Sequence, residues 1–214
     1  MPKLASKRLF KDLYSPPATQ VVAVNVPQFA FFMVDGAGDP NGSAAFQDAT
    51  EALYALSYAL KFARKKTNPE QDYAVMPLEG LWWSADLDSF DLSHRQDWLW
   101  TLMIMQPPRL TDEQFAELVE QTASKKPLPA LSQVRFETFD EGLSVQTLHR
   151  GPYSAEAATV QRLHAWATGQ GYGLRGRHHE IYLSDPRRTA PEKLKTIIRQ
   201  PIMRLMAGTR EIAR

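Results

Sequence analysis

The chain has 214 residues, is 43% hydrophobic and 23% charged, and carries a formal net charge of +1. Such a composition belongs to a folded chain of one large or two small domains and excludes a disordered one; a nucleic-acid binder held by phosphate contacts would be far more basic. With no cysteine present, a disulfide scaffold, a thiolate nucleophile and a cysteine zinc site are excluded as well.

The opening MPKLASKRLFKDLY spreads charge where a signal peptide needs an apolar core. The longest charge-free run, Leu13 to Val34, contains Pro16, Pro17 and Pro27 and does not suit a spanning helix. An intracellular, cytoplasmic protein is expected. Residues 67–124 hold eleven acidic and two basic side chains, whereas residues 150–214 hold twelve basic and five acidic. The plain reading is that two surfaces of one fold attract each other or a second subunit; the functional one is an anion-attracting C-terminal face.

Residues 1–18 form a polar lead whose Leu9, Phe10, Leu13 and Tyr14 predict an arm packed on the domain. TQVVAVNV (19–26) and FAFFMV (29–34) predict strands, and the turn-rich DGAGDPNG follows. Ser43 to Lys66 repeats Phe46, Ala49, Leu53, Leu56, Leu60 and Ala63 at helical steps, with Ser43 as N-cap and Asn68-Pro69 as stop. Residues 73–83 and 98–106 predict two further strands. Thr111-x-x-Gln114 is a capping box opening a helix. Residues 134–139 and 143–149 predict strands joined as a hairpin by Asp140-Glu141-Gly142. Ser154 is expected to cap a helix bearing Ala157, Val160, Leu163 and Ala167, EIYL (180–183) a strand, and Thr189-x-x-Glu192 a final helix with Leu194, Ile197 and Ile198.

This order suggests an internal duplication, with pseudo-repeats over 19–106 and 111–200 within a single domain, 1–214. In each half an apolar strand meets a Gly/Pro turn, a Ser-capped helix and a strand bearing a glutamate, Glu79 or Glu180. The expected fold is α+β: two tandem strand–helix–strand–strand modules forming an antiparallel sheet, helices on one face, and a ligand cleft between modules.

Several residues could carry chemistry. Glu79 in PLEGLWW and Glu180 in HHEIYLSD each sit inside an apolar strand. Alternation puts Glu180 and Tyr182 on one face. A mid-strand carboxylate is usually solvated or paired with arginine; in an aromatic cleft it becomes a base or a cation partner. Matching places in the two repeats predict that Glu79 and Glu180 approach one cleft. Trp82, Trp83, Trp100, Tyr153 and Tyr182 supply walls for flat or cationic ligands, although most large aromatics are core. His178 and His179 are adjacent, so they oppose each other on a strand and do not readily chelate one metal; no metal and no cofactor is expected. Gly36 to Gly42 reads as a plain turn rather than a phosphate nest, and no serine sits in a nucleophile-elbow setting.

At VDGAGDPNGS, PLEGLWW, MIMQPPRLT, HRGPYS and HHEIYLSDPRR the chain resembles stand-alone members of the GyrI-like small-molecule-binding family. The resemblance implies two tandem modules around a ligand cleft. Related domains serve as effector sensors of multidrug-responsive transcription factors, and one stand-alone subfamily hydrolyses cyclopropanoid DNA-alkylating compounds in an aromatic cage. Carried over, the family implies Glu180 and Tyr182 as catalytic and Glu79, Trp82, Trp83, Tyr153 and Trp100 as ligand-binding. The expected partner is a flat hydrophobic or cationic small molecule, with no direct nucleic-acid or membrane contact and homodimerisation left open. Alternatives are a non-catalytic sequestering protein and an effector sensor acting with a separate regulator.

Overall fold

The computed structural model describes residues 10–84 and 95–205; Leu9, expected in the packed arm, lies outside them. In chain order the elements are α1 (Lys11–Tyr14), β1 (Val22–Val26), β2 (Phe29–Ala37), α2 (Ala44–Thr67), β3 (Leu78–Ser84), β4 (Trp98–Gln106), α3 (Asp112–Ala123), β5 (Arg135–Phe139), β6 (Gly142–Arg150), α4 (Ala157–Gly169), β7 (Tyr172–Leu174), β8 (His178–Tyr182) and β9 (Lys195–Arg204). The fold is α+β. A single nine-stranded antiparallel sheet runs β1-β6-β9-β8-β3-β4-β2-β5, with β7 paired to β9.

The continuous apolar runs of β2 and β4 are buried almost throughout, as expected of strands covered on both faces. Ser43 caps α2 by accepting from the Phe46 N–H, and the helix buries Leu53, Leu56 and Leu60 against the sheet. Burying each such leucine contributes about 1.5–3 kcal/mol. Thr111 and Gln114 form the reciprocal capping box at α3. Ser154 does not cap α4: it lies in a short 3-10 turn, Tyr153–Ala155, and the helix opens after Glu156 without a side-chain cap.

Two further expectations are corrected. β5 and β6 are strands but not a hairpin. β1 and β2 form one long strand interrupted at Pro27-Gln28, and it pairs with β5 and β6 in one unbroken register, Val26 facing Gly142 and Phe29 facing Phe139. Asp140-Glu141 is therefore a kink in a long strand, with Gly142 at φ 66°, where only glycine is unstrained. The expected final helix is β9. Its Leu194, Ile197 and Ile198 mimic helical spacing, yet Thr196-Ile197-Ile198 is β-branched, and both faces of this strand are buried. Pro201 falls where the β8 ladder has ended, at Arg199, and the β7 ladder has not yet begun, at Ile202.

Apart from the short β7 inserted after α4, β2–α2–β3–β4 and β6–α4–β8–β9 have the same element order, and they meet at the β3–β8 pair. Helix α2 packs on β2 and β4, and α4 on β6 and β9. Through Phe115 against Phe32, α3 covers the same face as α2. The short α1 is the exception to helices on one face. It lies on the opposite, inner face, where the Leu13 and Asp12 carbonyls receive Arg199 and Gln146.

Candidate functional site

In an antiparallel ladder, directly opposed residues share a face. Glu180 opposes Gly80, and Glu79 opposes Ile181. The two carboxylates consequently point to opposite faces of the sheet, and the expectation of one shared cleft fails. The similar places of these residues in the two halves concealed a one-residue offset across β3–β8, which flips the side chain.

On the helix face, three neighbours converge across the β3–β8 junction. Tyr182 Oη donates to Glu180 Oε2 at 2.8 Å, and Trp82 Nε1 donates to Tyr182 Oη at 3.1 Å. His178, two residues before Glu180 on β8, brings Nε2 to 3.3 Å from Glu180 Oε1. Alternation along β8 thus sets His178, Glu180 and Tyr182 in a row. The turn before α4 swings Tyr153 onto Tyr182, ring centroids 5.8 Å apart and edge to face. Burial, then the charge and hydrogen bond of Glu180, push the Tyr182 hydroxyl well above its usual pKa. Burial, with Glu156 and Glu180 adding negative field, pushes Tyr153 up to about 12. Both phenols are held neutral, and that of Tyr182 donates to Glu180.

Trp82 is 3% exposed, stacked by Phe46 of α2 and edged by Trp98. Its ring backs the site while its N–H fixes Tyr182. Half-buried Phe46, Tyr153 and Tyr182 present the aromatic surface. Trp100 lies on the same face but is fully buried against Gly36, where an added Cβ would come within 2.1 Å of the indole. Trp83 faces the other way, with the Arg177 guanidinium 3.5 Å above its ring. So Glu180, Tyr182, Trp82 and Tyr153 are brought together, Trp100 flanks them, and Glu79 and Trp83 are elsewhere. Sequence reasoning missed Phe46, His178 and Glu156. His178 was legible in the alternation His-x-Glu-x-Tyr; nothing local marked the other two.

The inner face holds Glu79 in a buried ionic network. Tyr14 Oη donates to Glu79 Oε1 at 2.7 Å, and His179 bridges Glu79 at 3.0 Å and Glu141 at 2.9 Å. Arg199 donates to Glu141 at 3.0 Å, to Gln146 at 3.0 Å and to the Leu13 carbonyl at 2.7 Å. Burial opposes the charge of His179, but the Glu141 and Glu79 carboxylates raise it to about 9. Burial likewise opposes ionised Glu141, but His179 and Arg199 lower it to about 2. Two anions and two cations therefore balance away from water, as a buried charge cluster requires.

Two surface hollows open away from Glu180. One of about 440 Å³ lies beside Leu110, Phe136 and Thr138, and one of about 200 Å³ lies against Trp100, Asp35 and Asp48. Neither is lined by Glu180, Tyr182, Trp82 or Tyr153. Among the described residues, no group of three or more His, Asp or Glu is placed to hold a metal ion, and no helix is long and apolar enough to cross a membrane.

The model of the GyrI-like small-molecule-binding domain matches residues 19–203. The chain belongs to the GyrI-like family. The strands, save the last residue of β9, α2 to α4 and the Glu180 cluster all fall inside the GyrI-like match. An uncharacterized conserved protein of Listeria innocua is 40% identical, with a TM-score of 0.84 over 92% of this chain and 98% of that one. A hydrolase of the same organism is 39% identical, with a TM-score of 0.82 over 94% of this chain and 100% of the other. The C-terminal domain of EcmrR shares the fold at 12% identity and a TM-score of 0.54, over 87% of this chain and 98% of that one. No curated protein matches the chain.

Proposed function

We propose that this GyrI-like protein binds flat, hydrophobic electrophiles and hydrolyses cyclopropanoid alkylating compounds at Glu180. The observation carrying this reading is the part-buried Trp82–Tyr182–Glu180 hydrogen-bond chain beside the half-buried rings of Phe46 and Tyr153. The hydrolase of Listeria innocua at 39% identity supports catalysis as well as binding.

A carboxylate has about four lone-pair sites, so Glu180 can still accept a hydrogen bond from water while Tyr182 and His178 flank it. Water attacks the cyclopropane CH2 and forms a C–O bond. The ring C–C bond breaks, and its electron pair passes into the conjugated carbonyl. Glu180 takes the water proton as general base, which typically contributes about 10²–10⁴ in rate. The Tyr182 O–H, fixed by Trp82, turns to the carbonyl oxygen where negative charge collects. Tyr153 and Phe46 hold the flat body of the ligand by stacking.

Incubation with a panel of cyclopropanoid and flat cationic compounds, followed by mass spectrometry, tests the proposal. A ring-opened product 18 mass units heavier, the mass of one water, is expected. Stoichiometric binding without product overturns catalysis and makes the protein a sequestering one; absence of binding overturns the reading as a whole.

A further inference from the structure

Tyr153 reaches the site from a turn, so the place of its ring depends on what holds that turn. It belongs to the segment His149-Arg150-Gly151-Pro152-Tyr153-Ser154, of which the proposed mechanism uses the tyrosine alone.

His149, near the end of β6, lies in register with the site. It opposes Thr196 of β9, and Thr196 opposes Tyr182 of β8, so all three side chains are on the helix face. His149 is 6% exposed. Its Nδ1 stands 2.9 Å from Thr159 Oγ1 in the first turn of α4, and its Nε2 stands 3.3 Å from the Pro152 carbonyl oxygen. A carbonyl oxygen only accepts, so Nε2 carries the proton and donates to it; Nδ1 of the neutral ring accepts from the Thr159 hydroxyl. One tautomer satisfies both contacts.

The same Pro152 carbonyl accepts from the Ala155 N–H at 2.9 Å, the bond that closes the 3-10 turn Tyr153–Ala155. Neither that turn nor α4 has a side-chain cap at its start. The imidazole therefore ties the turn to β6 and to α4 at once. Gly151 lets the chain pass close to it. Its φ of 133° favours glycine, its N–H donates to the Leu194 carbonyl at 3.1 Å, and a Cβ there would stand 3.4 Å from His149 Nε2. Directly after this clamp comes Tyr153, edge to face on Tyr182.

We propose that His149 is the positioning residue of the aromatic wall: by holding the Pro152 carbonyl and Thr159 it keeps Tyr153 against Tyr182 and so sets the affinity for flat ligands. It acts through Tyr153 and not on the reacting atoms. The effect on ligands rests on the function proposed above; the placing of the ring does not.

Two replacements separate the clamp from packing. His149→Gln and His149→Met are similar in length and volume, but only glutamine offers an N–H to Pro152. A residue that merely fills space tolerates methionine at least as well as glutamine, whereas the clamp requires the opposite order. The first readout needs no ligand. Full-length wild type should give nuclear Overhauser contacts between the Tyr153 and Tyr182 rings, whose centroids are 5.8 Å apart. His149→Gln should keep them and His149→Met should lose them. Rings still in contact in His149→Met overturn the proposal, whether or not the protein makes product. If His149→Met does not fold, Thr159→Val frees the other end of the imidazole; it should weaken the same ring contacts, and unchanged contacts there overturn the proposal. The second readout is the Kd of ethidium, a flat cation, with initial rates on a cyclopropanoid compound. His149→Met should raise Kd and KM about 10-fold, the worth of one aromatic contact. It should leave kcat within about twofold, because Tyr153 binds while Glu180 reacts, and His149→Gln should recover most of the loss. An unchanged Kd with the rings apart overturns the role in binding. If wild type binds ethidium but makes no product, hydrolysis is sunk and the Kd still decides this role. If wild type binds neither compound, the function proposed above falls together with the role in binding, and the ring contacts decide the placement by themselves.

Discussion

At the residue scale, the two glutamates that look equivalent in sequence occupy opposite chemical settings, and one pair of substitutions separates them. Glu180→Gln keeps the shape of the side chain and still accepts from Tyr182, but it can no longer take a proton. Turnover should fall by about 10²–10⁴ with most ligand affinity and thermal stability retained. Glu79→Gln should do the reverse. It leaves the helix-face cluster intact and removes one charge from a network in which Glu79 is 1% exposed. Breaking a buried ionic pair costs about 3–5 kcal/mol, so the melting temperature should drop sharply while the rate per folded molecule holds. Tyr182→Phe lies between them: the ring stays, but the Trp82 N–H loses its acceptor, at about 1–3 kcal/mol. Initial rates and thermal melts of the three variants decide the assignment. Equal loss of turnover in Glu79→Gln and Glu180→Gln would count against it.

At the element scale, β3 and β8 must approach closely enough for Trp82 to reach Tyr182, and Gly80 permits this. A Cβ at that position would stand 2.8 Å from Trp82 Nε1 and 3.1 Å from Tyr182 Oη. Gly80→Ala should therefore separate the donor from its acceptor. Overpacking of this kind costs about 1–3 kcal/mol, and kcat should fall with it; a variant with wild-type rate and stability would show that the contact is not needed. The elements themselves were unequally legible. Helix α2 could be read from the chain because its cap, its apolar spacing and its stop are all local. The row His178, Glu180, Tyr182 needed only alternation. β9 could not be told from a helix, since Leu194, Ile197 and Ile198 satisfy the helical period and only burial on both faces settles the matter. The β5–β6 hairpin failed because a turn tripeptide also serves as a kink when the partner strand is distant in sequence. The opposite facing of Glu79 and Glu180 depended on cross-strand register, which neither segment encodes by itself.

At the scale of the whole molecule, the inner network ties together segments far apart in the chain. Tyr14 comes from α1, Glu79 from β3, Glu141 from the kink between β5 and β6, His179 from β8 and Arg199 from β9. Its charge balance makes the fold pH-sensitive at both ends. His179 is raised from 6.5 to about 9, so the folded state binds a proton more tightly than the unfolded chain does. Its contribution is complete below pH 6.5 and is lost as the pH rises through about 9. Glu141 is lowered from 4.5 to about 2. Its contribution is complete above pH 4.5 and is lost as the pH falls through about 2. The melting temperature should therefore form a plateau between the two unfolded values and fall on either side. Tyr14→Phe removes one hydrogen bond and no formal charge, so it should lower the plateau while keeping both limbs. His179→Gln should flatten the alkaline limb, at a cost of about 3–5 kcal/mol at neutral pH. If that variant does not fold, NMR titration of the His179 ring in wild type gives the same information. A His179 midpoint near 6.5 in the folded protein, or a wild-type melting temperature unchanged from neutrality to above pH 9, would remove the network from the account of what ties these segments together.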